Sequence, residues 1–243
     1  MNLYERGVDI EFERNGEIEC MMKTQNIIIL ENVLSEDECN RMINEQINQE
    51  GRRNIILEGL SITIMERCKT YIEDEVYERD EDIIDIRDHH DFNQIWRYKE
   101  ISPYWKLYHK PIGSRISKHY DRMYVEDVDT KSIYSIVIYL NGNNGNIKFG
   151  DIEVEPRRGR CVIFNMKESH EGLPNMDFPK YLIRSKIIYR RRKKMEREND
   201  RLAMEIYKRA LKEEKVDNRK YHELLEESFL LSPLLEKNVL QLC

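Results

Sequence analysis

Ser132-Ile133-Tyr134-Ser135-Ile136-Val137-Ile138-Tyr139-Leu140-Asn141-Gly142 is the stretch that decides the architecture of this chain. It is dense in β-branched and aromatic residues and ends on Asn-Gly, a pair that tolerates positive φ and closes hairpins. A second pair, Asn144-Gly145, precedes the run Asn146 to Phe149, so two strands with a tight connection are expected. The same texture extends outward from Ile95 to Tyr189. Trp105 to His109, Arg160 to Phe164 and Tyr181 to Tyr189 are short runs bounded by turn residues, and Arg157-Arg158-Gly159 marks a further turn. Short antiparallel strands joined in this way suit a double-sheet jelly roll.

Upstream, Gln25 to Val33 reads as a buried strand. Ser35 with Glu38 three residues on is a capping box, and Met42, Ile43 and Ile47 then give a helix one apolar face through about Gln49. Leu60 to Tyr77 reads as a second helix from the spacing of Ile64, Cys68, Tyr71, Ile72 and Val76, with Glu78 to Glu81 as a solvated loop. Beyond Tyr189, spaced Met195, Leu202, Ile206 and Leu211, then an apolar piece from Leu224 to Leu242 broken by Pro233, predict two or three helices. The expectation is an α+β fold. Residues 95–190 form a double-stranded β-helix (jelly roll) core, residues 1–94 supply an N-terminal strand and helices packed on one sheet of the same domain, and residues 191–243 are a C-terminal helical extension.

Composition sets limits on function. The chain has 243 residues, 40% hydrophobic and 35% charged, with a net charge of -6, which argues against a general nucleic-acid binder. The local basic run Arg190-Arg191-Arg192-Lys193-Lys194 is read as the solvated start of a helix. Five scattered cysteines without a C-x-x-C pair imply a reducing compartment. No apolar stretch approaches the ~18 residues of a membrane span, and the start Met1-Asn2-Leu3-Tyr4-Glu5 lacks signal-peptide order, so a soluble cytoplasmic protein is expected.

His119-Tyr120-Asp121 carries the chemistry. On a strand, residues two apart project from one face, so His119 and Asp121 can chelate one metal. About fifty residues later, Ser169-His170-Glu171-Gly172 lies between two expected strands and offers a second histidine. Two histidines and a carboxylate make the facial triad of non-haem iron oxygenases, with open positions for cosubstrate and O₂. The bland reading, surface histidines beside a turn-capping Asp121, stands beside it. So does a rival cluster, Asp88-His89-His90-Asp91, in a polar stretch outside the strand pattern. Lys180 and Arg184 share strand parity ten or more residues after His170, so either could meet a carboxylate inside the barrel. Tyr139 could face inward from its strand.

In this order the features resemble the prolyl 4-hydroxylase-like branch of the Fe(II)/2-oxoglutarate-dependent dioxygenases: Tyr108 with Gly113, His119-Tyr120-Asp121, Ser135 to Asn141, Gly145 to Phe149, Pro156 and Gly159, His170-Glu171-Gly172, then Lys180 ahead of Arg184. The resemblance spans roughly Gln25 to Tyr189. It implies His119, Asp121 and His170 as catalytic iron ligands, Lys180 as the cation for 2-oxoglutarate with Tyr139 and Tyr108 nearby, and Arg184 as runner-up. It further implies Fe(II), 2-oxoglutarate and O₂, with ascorbate as a reductant, and hydroxylation of an unactivated C–H bond with release of succinate and CO₂. Asn144-Gly145-Asn146-Ile147 departs from the paired glycines and Glu-Thr step of many relatives, and Lys186 stands where an acidic residue is usual.

A protein or peptide substrate, proline first, follows from the resemblance. A nucleic-acid dealkylase of the same superfamily and a non-catalytic jelly-roll binding module remain alternatives. The C-terminal helices either pack on their own domain or support a homodimer.

Overall fold

A computed structural model describes residues 5–6, 16–46, 51–79, 93–142, 145–194 and 196–240. The chain divides into two interleaved compact units, one of Met1–Glu73, Glu100–Asp121 and Ile133–Ile188, the other of Asp74–Lys99, Arg122–Ser132 and Tyr189–Cys243.

Two sheets build the first unit. The larger runs in the order β1 (Glu5–Arg6), β4 (Gly51–Ile56), β7 (Tyr104–Lys110), β15 (Lys180–Arg191), β10 (Thr130–Tyr139), β13 (Cys161–Asn165), β3 (Ile27–Glu31), β2 (Glu19–Lys23). Residues 130–132 of β10 and 189–191 of β15 fall in the second unit. The smaller sheet runs β12 (Ile152–Val154), β11 (Ile147–Phe149), β14 (His170–Gly172), β8 (Ile116–His119). The pairings β4–β7, β7–β15, β10–β13, β13–β3, β3–β2, β12–β11, β11–β14 and β14–β8 are antiparallel, and β1 pairs parallel with β4. This is the curled double-sheet architecture expected from the turn-punctuated strands.

Period-2 alternation explains the core. Ile27 and Ile29, Val137 and Tyr139, Val162 and Phe164, and Leu182 point from the large sheet onto Ile147, Phe149 and Val154 of the small one. The intervening residues of β10 and β13 are buried as well, because helices cover the other face. α2 (Glu58–Cys68) lies there: Trp105 Nε1 donates to Ser61 Oγ at 2.9 Å, and Leu57 N to the Pro103 carbonyl at 3.0 Å. α1 (Glu36–Gln46) is tied to α2.

The capping box at α1 forms as expected: Glu38 N donates to Ser35 Oγ (3.2 Å) and Ser35 N to Glu38 Oε2 (2.8 Å). Glu38 is fully buried and is held by both terminal nitrogens of Arg67 at 2.8 Å each. Arg67 also donates to the Val33 carbonyl at 2.7 Å, locking helix to helix and to the chain after β3. Removing one partner of such a pair would cost roughly 3–5 kcal/mol, since the other charge would remain buried.

The second unit contains β5 (Glu75–Arg79), β6 (Asn93–Ile101, of which 93–99 belong here), β9 (Val125–Asp127) and helices α3 (Glu198–Glu213), α4 (Asn218–Leu231) and α5 (Pro233–Leu240). Helix starts are written locally: Asp217 accepts from Lys220 N at 3.1 Å at the head of α4, and Ser232 accepts from Leu235 N at 3.1 Å just before Pro233 opens α5. The apolar stripe of α3, with Ile206 and Ala210, packs on Leu224 of α4. Trp96 is approached by two cations, Lys131 Nζ and Arg191 Cζ, each 4.4 Å from a ring centroid, with Glu78 2.8 Å from Lys131 and Asp129 3.1 Å from Arg191. No helix among the described residues is long and apolar enough to cross a membrane.

Three local expectations are corrected. The second helix stops at Cys68, and Val76 and Tyr77 belong instead to β5, in register with Trp96 and Ile95. Glu73, Asp74 and Glu75 would have sat at a helix C-terminus, where the macrodipole disfavours acids. The basic run beginning at Arg190 does not open a helix: Arg190 and Arg191 end β15, and Arg191 is buried over Trp96. Finally, Glu78 is in β5 and paired with Lys131 rather than in a solvated loop. Ile47, Gln49, Asn144, Met195, Leu242 and the rival cluster 88–91 lie outside the described residues.

Candidate metal centre

His119 is the last residue of β8, and Asp121 follows two residues on, beyond the end of the strand. β14 pairs with β8 so that His170 is the Cα partner of His119. One ligand atom from each of His119, Asp121 and His170 can be chosen so that all lie within 4.8 Å of one another. His119 Nε2 is 3.8 Å from Asp121 Oδ1. Among the described residues this is the one such grouping of His, Cys, Asp or Glu.

Each ring is held by its other nitrogen. Nδ1 of His119 lies 2.9 Å from the Ser117 carbonyl and Nδ1 of His170 3.1 Å from the Glu168 carbonyl. A carbonyl can only accept, so both rings are assigned a proton on Nδ1, which leaves the Nε2 lone pairs for a metal. Phe149 and Phe164 wall in His170, their ring centroids 5.6 and 4.7 Å from it. Burial lowers the His170 pKa despite the nearby Asp121, which favours the neutral, ligating form.

Asp121 is 2% exposed. Burial alone would raise its pKa, but the Arg184 guanidinium, a hydrogen bond from Ser135 Oγ (2.5 Å) and the His170 and Lys186 charges hold it below the usual carboxylate value. Arg184 pairs directly with Asp121 Oδ1. The carboxylate is therefore ionised and fixed in orientation, as a metal ligand needs to be. Two neutral imidazoles and one carboxylate fit Fe(II) by donor type.

Lys180 is buried in the same unit. It begins β15, is 4% exposed, and donates from Nζ to the Gly145 carbonyl at 2.5 Å. A Cβ on Gly145 would lie 2.8 Å from that Nζ and 2.9 Å from Asn175 Cβ, so the close approach requires glycine. Tyr139 is buried among Phe149, Phe164 and Leu182, its phenol pKa pushed up by burial, and Tyr108 packs against the same cluster. Arg184, the alternative cosubstrate cation, spends its charge on Asp121.

Two neighbours of these residues went unmarked in the sequence. Ser135 shares parity with Tyr139 on β10, a signal that was there to be used. Lys110, the Cα partner of Lys180 across β7 and β15, shares parity with Tyr108 in the same way.

Residues 104–187 match the family model described as the 2OG-Fe(II) oxygenase superfamily. No curated protein matches the chain in sequence. Among solved structures, the viral collagen prolyl hydroxylase of Paramecium bursaria Chlorella virus-1, as its 2OG complex, is 15% identical. That alignment covers 68% of this chain and 96% of that one, with a TM-score of 0.47. A Trichoplax adhaerens prolyl hydroxylase, bound to a hypoxia inducible factor peptide fragment, is 13% identical over 68% of this chain and 84% of that one, TM-score 0.42. A Pseudomonas putida prolyl-4-hydroxylase is 24% identical over 40% and 55%, TM-score 0.30.

Proposed function

We propose, from the premise that residues 104–187 form a 2OG-Fe(II) oxygenase domain, that this chain hydroxylates an unactivated C–H bond of a peptidyl side chain, proline first. The observation that carries the reading is the convergence of His119, Asp121 and His170 donor atoms within 4.8 Å inside, or at the edge of, a buried barrel. Those three residues would hold Fe(II). Lys180 would pair with the far carboxylate of 2-oxoglutarate.

Fe(II), 2-oxoglutarate and O₂ together supply the oxidising power, so that substrate C–H, cosubstrate and O₂ become C–OH, succinate and CO₂. The chain's own residues position and protect. Ser135 and Arg184 keep Asp121 ionised and aimed. The Ser117 and Glu168 carbonyls fix both imidazoles. Phe149 and Phe164 keep water from the His170 side of the site. Within this reading residues 95–190 carry the chemistry, residues 1–94 support the sheet and residues 191–243 are the helical appendage.

The test is spectroscopic and then catalytic. Anaerobic Fe(II) and 2-oxoglutarate should give a weak visible charge-transfer band that His119→Ala abolishes. A proline-containing peptide should then stimulate succinate release, while methylated single-stranded DNA should not. Absence of the band in the unmodified protein would sink the metal and cosubstrate assignment. Stimulation by the DNA alone would sink the substrate class.

A further inference from the structure

We infer that Lys110 and Lys180 together form a two-cation seat for the far carboxylate of 2-oxoglutarate, an inference that rests on the cosubstrate reading above and sharpens it.

The two lysines are Cα partners across β7 and β15, so their side chains leave the sheet on the same face. That face is the barrel interior. Two residues along, the partners Tyr108 and Leu182 both meet the inner core of Phe149, Phe164 and Tyr139. The opposite parity of β7 faces the helices, as the Trp105 bond to Ser61 shows. Lys110 Nζ sits 5.4 Å from the centroid of the Tyr108 ring, and Lys180 Nζ reaches the Gly145 carbonyl.

No carboxylate among the described residues pairs with either amine, whereas the next cation on that face, Arg184, is matched by Asp121. Like charges directly opposite on a sheet are destabilising, and burial makes them more so. Burial pulls both amines down to about 8, with Arg184 adding to the effect on Lys110 and Lys110 to that on Lys180. The Gly145 carbonyl and the Tyr108 ring contact these amines without neutralising either charge. An incoming carboxylate has two oxygens, each able to take an ammonium donor, and would turn the mutual repulsion into two charge-assisted bonds. The pair thus selects a keto acid with a second, distal carboxylate.

The experiment is a ligand and mutant cycle on the Mn(II)-loaded full chain, read by calorimetry. Binding of 2-oxoglutarate is compared with that of 2-oxopentanoate, which keeps the chelating end and lacks the distal charge. The unmodified protein should prefer 2-oxoglutarate strongly. Lys110→Met should cut that preference roughly tenfold or more, the size of a lost hydrogen bond to a charged group, and Lys110→Arg should restore most of it. Lys110→Gln, which keeps length and polarity, serves if the Met variant fails to fold. Equal weakening of both ligands, or a preference unchanged without Lys110 but lost in Lys180→Met, overturns the two-cation seat and leaves the cosubstrate reading standing. If the unmodified protein shows no preference at all, the cosubstrate reading falls, and the seat with it.

Discussion

His119 and His170, about fifty residues apart in sequence, are Cα partners in the β8–β14 pairing, and their ring centroids lie 4.3 Å apart. The candidate metal site is thus a property of strand register. A one-residue slip of β14 would send the His170 side chain to the other face. His170→Ala should therefore abolish tight Mn(II) binding, measured by electron paramagnetic resonance titration. The fold should survive, because β14 keeps its pairing to β11. Retained affinity would show that His170 is not a ligand.

Ser135 gives a subtler test. Its hydroxyl is buried and donates to Asp121 Oδ2 at 2.5 Å. Ser135→Ala should weaken metal binding by about 10–100-fold, the usual consequence of losing a hydrogen bond behind a ligating carboxylate. Circular dichroism should report an unchanged fold. An unaltered metal Kd would mean that Arg184 alone aims the carboxylate.

Gly145→Ala separates cosubstrate from metal. The added methyl meets Lys180 Nζ and Asn175 at van der Waals overlap, and Lys180 is the easier of the two to displace. The KM for 2-oxoglutarate should rise roughly tenfold or more, while Mn(II) affinity holds. A KM within twofold of the parent would show that Lys180 does not contact the cosubstrate.

Gly159 tests the scaffold. It has φ +74° and donates its N–H to the Tyr139 carbonyl, while its own carbonyl accepts from Val33 N. A Cβ there would run into the Leu34 carbonyl. Gly159→Ala should cost about 2–4 kcal/mol, from backbone strain together with displacement of the chain after β3. A thermal melt with Tm unchanged would contradict this packing.

The lysine pair predicts an unusual dependence on pH. A lysine whose folded pKa is about 8, below the ordinary 10.5, binds fewer protons folded than unfolded. Its penalty is complete below pH 8 and is relieved as pH rises from 8 toward 10.5. The ligand-free Tm should therefore rise across that window relative to Lys110→Met, while 2-oxoglutarate binding weakens above pH 8 as the amines lose charge. Parallel Tm profiles for the two proteins would refute the shift.

Much of the architecture was legible because it is local. Alternation in Ser132 to Leu140, the Asn-Gly and Gly159 turns and the Ser35/Glu38 box each act within a few residues, and the structure contains all the strands they marked. Helical spacing misled between Tyr71 and Tyr77, where the pairing of Val76 with Trp96 outweighed it. The charge run misled at Arg191, because a ring and a carboxylate distant in sequence make its burial tolerable. At the site, His119, Asp121, His170 and Lys180 stood out by residue type and order. Ser135 and Lys110 did not, since a serine in a strand and a lysine near a turn are ordinary until their neighbours are known.

By itself the amino-acid order determined which residues could bind a metal and which segments would be strands, because side-chain chemistry and two-residue alternation are written along the chain. Only the tertiary structure decided that β8 and β14 align their histidines, that Arg184 answers Asp121, and that Lys110 faces Lys180. Those relationships arise from strand register between distant segments, and register is set by the packing of the whole barrel.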